Sequence, residues 1–288
     1  NRFFKHKKNG IKTYPPKRKK VKKYKSVTYK QAGYKFLPGG RVRIAGRIYR
    51  YWDSYDCLLE TVEVHTMTIK RNALGEYFLF MTADAPITMG KNRDKRYEVG
   101  MDFGLKTFLT LSDGTRIESP EFFKKGIAGI RKANKELSRK KEGSRGKLKA
   151  EKALYRRHEH IANCRRDWFF KLSHELCSKY SVIAIEDLNL KGMAKLWGRK
   201  VSDYAFAEFV RILEWVSSKH DTVIVKADRF YPSSQTCSRC GALNHEMKDL
   251  RKRTFRCGAC SLEIDRDLNA AITLKNEGLR KIKDLSAV

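Results

Sequence analysis

Four cysteines, Cys237, Cys240, Cys257 and Cys260, follow the spacing C-x2-C-x16-C-x2-C. Such spacing suits a zinc ion held by sulfur. Each knuckle brings two thiolates within about 4 Å of one ion, and the hairpin between the knuckles closes the tetrahedron. Gly241 and Gly258 permit the tight turns that follow or lie inside the knuckles. Four thiolates fill the coordination shell and leave no open position, so the expected role is structural. Arg239, Arg251, Lys252, Arg253 and Arg256 can offset the negative charge of the tetrathiolate, and Arg251, Lys252 and Arg253 equally suit phosphate. The remaining cysteines, Cys57, Cys164 and Cys177, have no ligand spacing and read as packing residues. His158, His160 and His174 share no spacing with the cysteines and are read as surface or packing residues.

Carboxylates supply a second chemistry. Asp102 lies on an expected strand, between Gly100 and Gly104 on the same face, which leaves room for a bulky backbone near a bound metal. Glu186 ends the apolar run "VIAI", at the carboxyl end of a buried strand, where open α/β sheets place their chemistry. Period two turns its neighbour Asp187 to the opposite face. Asp265 and Asp267 open the last helix, one suited to cap it and the other in its first turn. Small Ala270 and Ala271 let that helix lie close to the sheet, bringing an aspartate towards Asp102. Asp267 precedes Ala271 by one turn, so it borders a stripe read as Leu268, Ala271, Ile272 and Leu279, and Asp265 is left to cap. Three acids from separate segments suit a two-metal phosphodiesterase centre, with Mg²⁺ activating water. A capping role for the aspartates and a strand-end role for Glu186 remain the plain alternatives.

These residues need elements to hold them. "RVRIAG" and "TVEVHTMTIK" alternate with period two, and turns such as "LPGG" and "NALG" separate them, giving an antiparallel sheet or partial β-barrel with a basic face over about 27–94. "KNRDKR" marks a linker. "YEVGMDFGLKTFLTLSDGTRI" reads as two or three strands with a turn at Ser112, Asp113 and Gly114. Ile127, Ile130 and Leu137 mark a helix, broken near "EGSRGK"; a second helix carries Ile161, Trp168, Leu172 and Leu176 on one face. "SVIAIEDL" and "TVIVKAD" read as buried strands around a helix with Phe206, Val210, Leu213 and Val216 inside. The last helix is expected over about 266–278. Strands separated by helical crossovers give an α/β domain over about 95–288, with the cysteine knob inserted at about 233–262.

The balance of charge names the partner class. Lys and Arg number 63 against 32 Asp and Glu, for a net charge of +31. Such an excess repels itself and calls for a polyanion, with nucleic acid ahead of a membrane surface. No apolar run approaches a membrane-spanning length. The first 26 residues form a basic tail with tyrosines among lysines, and Lys17, Arg18, Lys19 and Lys20 are its candidate phosphate contacts. No secretory signal opens the chain and it begins at Asn1, so it reads as a piece of a longer protein, one at home in a reducing, nucleoid-associated cytoplasm.

"VGMDFGLK", "AIEDLNLKGM", "DRFYPSSQTCSRCG" and "DRDLNAA" together resemble the motif series of the TnpB (OrfB) insertion-sequence proteins, relatives of the type V CRISPR effectors. The likeness runs from about Arg41 to Leu279 in the same order. It implies an RNase H-like (RuvC) nuclease domain with an inserted zinc ribbon, a preceding β-barrel holding guide RNA and target DNA, and a catalytic trio of Asp102, Glu186 and Asp267. A further N-terminal strand and a helical recognition segment belong to that pattern and are not visible here, and "SLEIDRD" lacks a histidine frequent before the acidic turn. The resulting expectation is an RNA-guided, Mg²⁺-dependent DNA endonuclease of a mobile element. A non-cutting transposition regulator and an unguided RNase H-like or junction nuclease are the other readings.

Overall fold

A computed structural model of the chain describes residues 8–10, 14, 25–30, 32–52, 63–84, 97–104, 106–187, 204–249 and 251–286. The candidate contacts Lys17, Arg18, Lys19 and Lys20, Cys57 and the "KNRDKR" stretch lie outside them. The chain divides into two compact units, Asn1–Pro86 and Ile87–Val288.

The first unit holds two three-stranded antiparallel sheets rather than one sheet. β2 (Tyr34–Leu37), β3 (Arg41–Ile44) and β4 (Arg47–Arg50) form one, in that order. β1 (Ser26–Lys30), β5 (Val64–Arg71) and β6 (Tyr77–Ala83) form the other, with β5 central. The alternation "RVRI" buries Val42 and Ile44, which join Phe36 and Met67 in a small core. Arginines occupy the outward positions of β3, and all four residues of β4 are exposed.

In the second unit, β7 (Tyr97–Phe103), β8 (Leu109–Leu111) and β9 (Arg116–Ile117) form an antiparallel meander. Helices α1 (Phe122–Ser138) and α2 (Arg145–Lys179) then lead to β10 (Tyr180–Glu186), and α3 (Phe206–His220) leads to β11 (Val223–Ala227). β10 pairs parallel with both β7 and β11, so the sheet order is β11-β10-β7-β8-β9. The "SDG" turn forms as expected: Gly114 takes φ +90° and the Asp113 carboxylate accepts the Thr115 N–H at 3.0 Å. β11 is an edge strand with Val223 half exposed, not the buried strand its apolar run suggested. Among the described residues, no strand pairs with its outer side.

The two sheet faces have different covers. Val99, Met101, Phe103, Ile183 and Ile185 meet Phe169, Leu172 and Leu176 of α2 and Phe206, Phe209 and Leu213 of α3 in one core. Phe209 takes the inner place expected for Val210, which is only partly buried. The opposite face is covered by the last helix, α4 (Arg266–Ser286), about two turns longer than the sequence pattern suggested. A Cβ on Gly100 would lie 1.9 Å from the Ala271 carbonyl oxygen, and one on Gly278 would lie 2.5 Å from the Ala184 Cβ. Glycine is required at both places because a helix backbone lies directly on the strands. Gly104 is likewise filled, by the Thr107 carbonyl at 2.6 Å. The space beside Asp102 is thus filled by bulky backbone, that of α4 at Gly100 and of a turn at Gly104.

Candidate nuclease centre and zinc ribbon

Register assembles the acids. Ala184 pairs with Gly100 and Ile185 with Met101 across the parallel β7–β10 ladder. The next rung brings Glu186 beside Asp102, on the face covered by α4, with strands about 4.8 Å apart. Asp187, one residue on, is held by Arg229 at 2.6 Å. Ala271 sits over Gly100, and Asp267 lies one helical turn earlier, where its charge acts on Asp102.

Electrostatics show how close this convergence is. Burial raises the Asp102 carboxyl well above the ordinary aspartate range, and the charges of Glu186 and Asp267 push it further. Arg266 works in the opposite direction. Burial lifts Glu186 to about 7. Without a cation, neither acid ionises at its usual pH. Among the described residues, however, only the four cysteines bring three or more ligand atoms within 4.8 Å of one another.

Asp265 and Asp267 divide their work. Asp265 accepts the N–H groups of Asp267 at 3.0 Å and Leu268 at 3.1 Å, capping α4, and also binds Arg116 at 2.8 Å. Asp267 meets only Arg253 as an ion pair among the described residues, at a loose 3.8 Å. Its carboxylate is the less committed one. Asp265→Ala is expected to lower stability by about 1 kcal/mol through loss of the cap. The shift of the denaturant midpoint measures it, and zinc content should not change.

The knuckle geometry fits zinc. Cys237 and Cys260 sulfurs lie 3.6 Å apart, as do those of Cys240 and Cys257, against an edge of about 3.8 Å for a tetrahedron of 2.3 Å Zn–S bonds. Each knuckle closes through matching backbone bonds: Gly241 N–H to the Cys237 carbonyl at 2.9 Å, and Ser261 N–H to the Cys257 carbonyl at 3.1 Å. Gly241 and Ser261 supply the left-handed positions, at φ +76° and +55°. Gly258, expected to serve a turn, has no positive φ. N–H groups led by that of Cys260 lower the Cys257 thiol to about 6, while burial and the neighbouring thiols push Cys260 up to about 12.

Around the knuckles, β12 (Thr254–Arg256) pairs with β13 (Glu263–Asp265), and Met247 and Phe255 fill a core with Cys237 and Cys257. The ribbon grips α4 through residues that the sequence reading passed over. Asn269 is fully buried; its Oδ1 accepts the Ser238 N–H at 3.0 Å and its Nδ2 donates to the Thr236 carbonyl at 2.7 Å. Thr273 donates to the same carbonyl at 3.3 Å. Buried Arg266 donates to the carbonyls of Asp249 and Lys252 at 3.1 and 3.4 Å. The buried side of α4 thus carries Asn269, Ala270, Ala271, Thr273, Leu274 and Glu277, while Leu268, Ile272 and Leu279 are only partly covered. Arg251 binds Asp249 at 3.0 Å and Lys252 binds Glu246 at 2.6 Å, so Arg253, beside Asp267, is the one of the three nearest the acids.

Two family profiles match this unit: OrfB_IS605, described as "Probable transposase", over residues 87–196, and the Cas12f1-like TNB domain over residues 206–274. A "Putative RNA-guided DNA endonuclease" of Streptomyces pristinaespiralis is 32% identical over 225 residues, covering 77% of this chain and 55% of the relative. The chain belongs to the TnpB (OrfB) family. "TnpB-like protein L79" of Acanthamoeba polyphaga mimivirus is 28% identical, over 71% of this chain and 41% of its own length. This TnpB-family chain spans about half the length of the curated relatives it matches. A cryo-EM structure titled as a Cas12f1–sgRNA–target DNA complex aligns at a TM-score of 0.48 and 20% identity, over 73% of this chain and 55% of that one. Among the described residues, no helix is long and apolar enough to cross a membrane.

Proposed function

We propose that this TnpB-family chain carries an RNase H-like (RuvC) nuclease domain that cuts DNA, guided by RNA, with Mg²⁺ held by Asp102, Glu186 and Asp267. The observation that carries the reading is the meeting of Asp102 and Glu186 side by side on neighbouring strands with the first turn of α4, where burial raises both carboxyls. The β9-β8-β7-β10-β11 order, three antiparallel strands followed by two parallel ones, suits that fold class. Mg²⁺ bound there would activate water and stabilise the leaving oxygen. Asp102 and Glu186 are fixed by strand register, and Asp267 by the docking of α4. Asp265 holds the helix start, and Arg266 tempers the acid cluster. The structural zinc at Cys237, Cys240, Cys257 and Cys260 fixes the ribbon against that helix. Arg253, with Arg251, Lys252 and the tail residues Lys17, Arg18, Lys19 and Lys20, supplies phosphate contacts.

Guiding by RNA has its own test. The protein purified with its native flanking sequence should carry one discrete RNA species, read by sequencing the bound RNA after nuclease protection. A heterogeneous RNA smear, or none, would contradict guidance and leave an unguided nuclease.

A further inference from the structure

The α1–α2 hairpin holds charge that neither the nuclease centre nor the ribbon uses. Residues 122–158 contain fourteen Lys or Arg and three Glu, a net +11 of the chain's +31. On α2, Arg145, Lys149, Lys152 and Arg156 recur at spacings of four, three and four, forming one stripe along a helix face. All four are exposed, and none forms an ion pair among the described residues. They lie opposite the side that packs on α1, where Ile161 closes on Gly126 and Arg157 on Gly129. Crowded like charges weaken an isolated helix, so the stripe needs a polyanion to offset it.

The position of the stripe follows from lengths. α2 ends directly into β10 and runs back along the sheet. β10 has seven residues, about 23 Å, which roughly fifteen helical residues can cover. α2 has 35 residues. Its C-terminal half is anchored by Phe169, Leu172 and Leu176, and Phe169 stacks on Phe108 just beyond the carboxyl end of β7. No residue of α2 before Ile161 is buried. The first sixteen residues, about 24 Å of helix, therefore project past the sheet edge that carries Asp102 and Glu186, braced by α1.

We infer that this hairpin is an arm that grips the sugar-phosphate backbone of a nucleic-acid duplex on its way to the acids. Among Phe, Tyr and Trp, Tyr155 is the one exposed ring on α2. Single-strand platforms stack successive bases on a series of rings; a straight cationic stripe instead meets phosphates and reads no sequence. The inference rests on the nucleic-acid reading above and gives it a location.

The test uses the full chain and fluorescent 30-base-pair duplexes of two unrelated sequences, titrated from low to moderate salt. Arg145, Lys149, Lys152 and Arg156 are all replaced by glutamine, which keeps helix propensity. A control variant replaces Lys30, Lys171, Arg211 and Lys283, all exposed and outside the arm. Each lost phosphate contact should reduce the log–log salt slope by about 0.9. The arm variant should therefore flatten the slope by about 2 or more for both sequences, while the control changes it by less than half as much and both variants melt as wild type does. An equal change in the control, a smaller change in the arm variant, a sequence-dependent loss, or a greater loss for single strands than for duplexes would overturn the duplex arm. If the wild-type chain has no salt-sensitive duplex affinity, the nucleic-acid reading falls as well. If wild type binds and only the arm variant fails to differ, the arm alone is wrong.

Discussion

Asp267→Ala should reduce DNA cleavage on the order of 10²–10³-fold or more, while nucleic-acid affinity stays within about twofold of wild type. The two aspartates of "DRD" stand two positions apart in sequence and differ in their whole environment. Asp265 is committed to two backbone N–H groups and Arg116. Asp267 faces Asp102 with only a distant arginine beside it. The assay is plasmid cleavage with Mg²⁺ and the native guide, beside a binding titration on the same preparation. Asp265→Ala, run in parallel, should keep measurable cutting. Near wild-type cleavage by Asp267→Ala would place the metal elsewhere.

Cys257→Ser should remove zinc and disorder the ribbon while the five-stranded sheet persists. The ribbon core consists of Met247 and Phe255 against cysteines, too little apolar burial to stand alone. Structural zinc contributes about 10–16 kcal/mol in comparable small domains. The large aromatic core of α2, α3 and the sheet contains no ribbon residue, so unfolding should stay local. What α4 loses is the Asn269 clamp on Thr236 and Ser238 and the Arg266 bonds to the Asp249 and Lys252 carbonyls. Cleavage should fall with the zinc because Asp267 is one and two residues from those clamps. Elemental analysis should give one zinc per wild-type chain and none in the variant. Hydrogen exchange should rise over residues 233–270 alone. Full zinc retention, or collapse of protection throughout the sheet, would contradict this coupling.

Chemistry that depends on covalent spacing was legible before any fold. Two C-x2-C knuckles have one good use, and the four cysteines do come together. Helix α2, the "SDG" turn and the capping role of Asp265 were likewise written in local pattern. Contacts between segments were not. Gly100 reads in sequence as room for a bulky backbone; that the backbone is α4, a neighbour 171 residues away, is something no local pattern names. The buried side of α4 was misread because Asn269 and Thr273 are polar; only the ribbon carbonyls and N–H groups make their burial favourable. Leu268 and Ile272 were favoured by hydrophobicity and left partly exposed. The lysines at the chain start stand out in sequence, while the cationic stripe on α2 lies within an ordinary-looking amphipathic hairpin. The β-rich first unit showed its strands in sequence, but not their division into two sheets, which depends on pairing between distant strands.

The central claim is that Asp102, Glu186 and Asp267 together make a divalent-cation site. Mn²⁺ binding, followed by electron paramagnetic resonance in place of Mg²⁺, tests it most directly. Glu186 titrates near 7 and Asp102 above its ordinary range, so bound protons compete with the metal. In the metal-free protein these raised acids favour the folded state less as pH rises from about 4.5 through 7, because the native state holds protons that the unfolded chain has released. Cation binding reverses that penalty. Mn²⁺ binding should be strong at pH 8, weaken about tenfold or more by pH 6, release protons into the buffer, and be lost in Asp102→Asn although that protein stays folded. Binding that is independent of pH and unchanged in Asp102→Asn would contradict it.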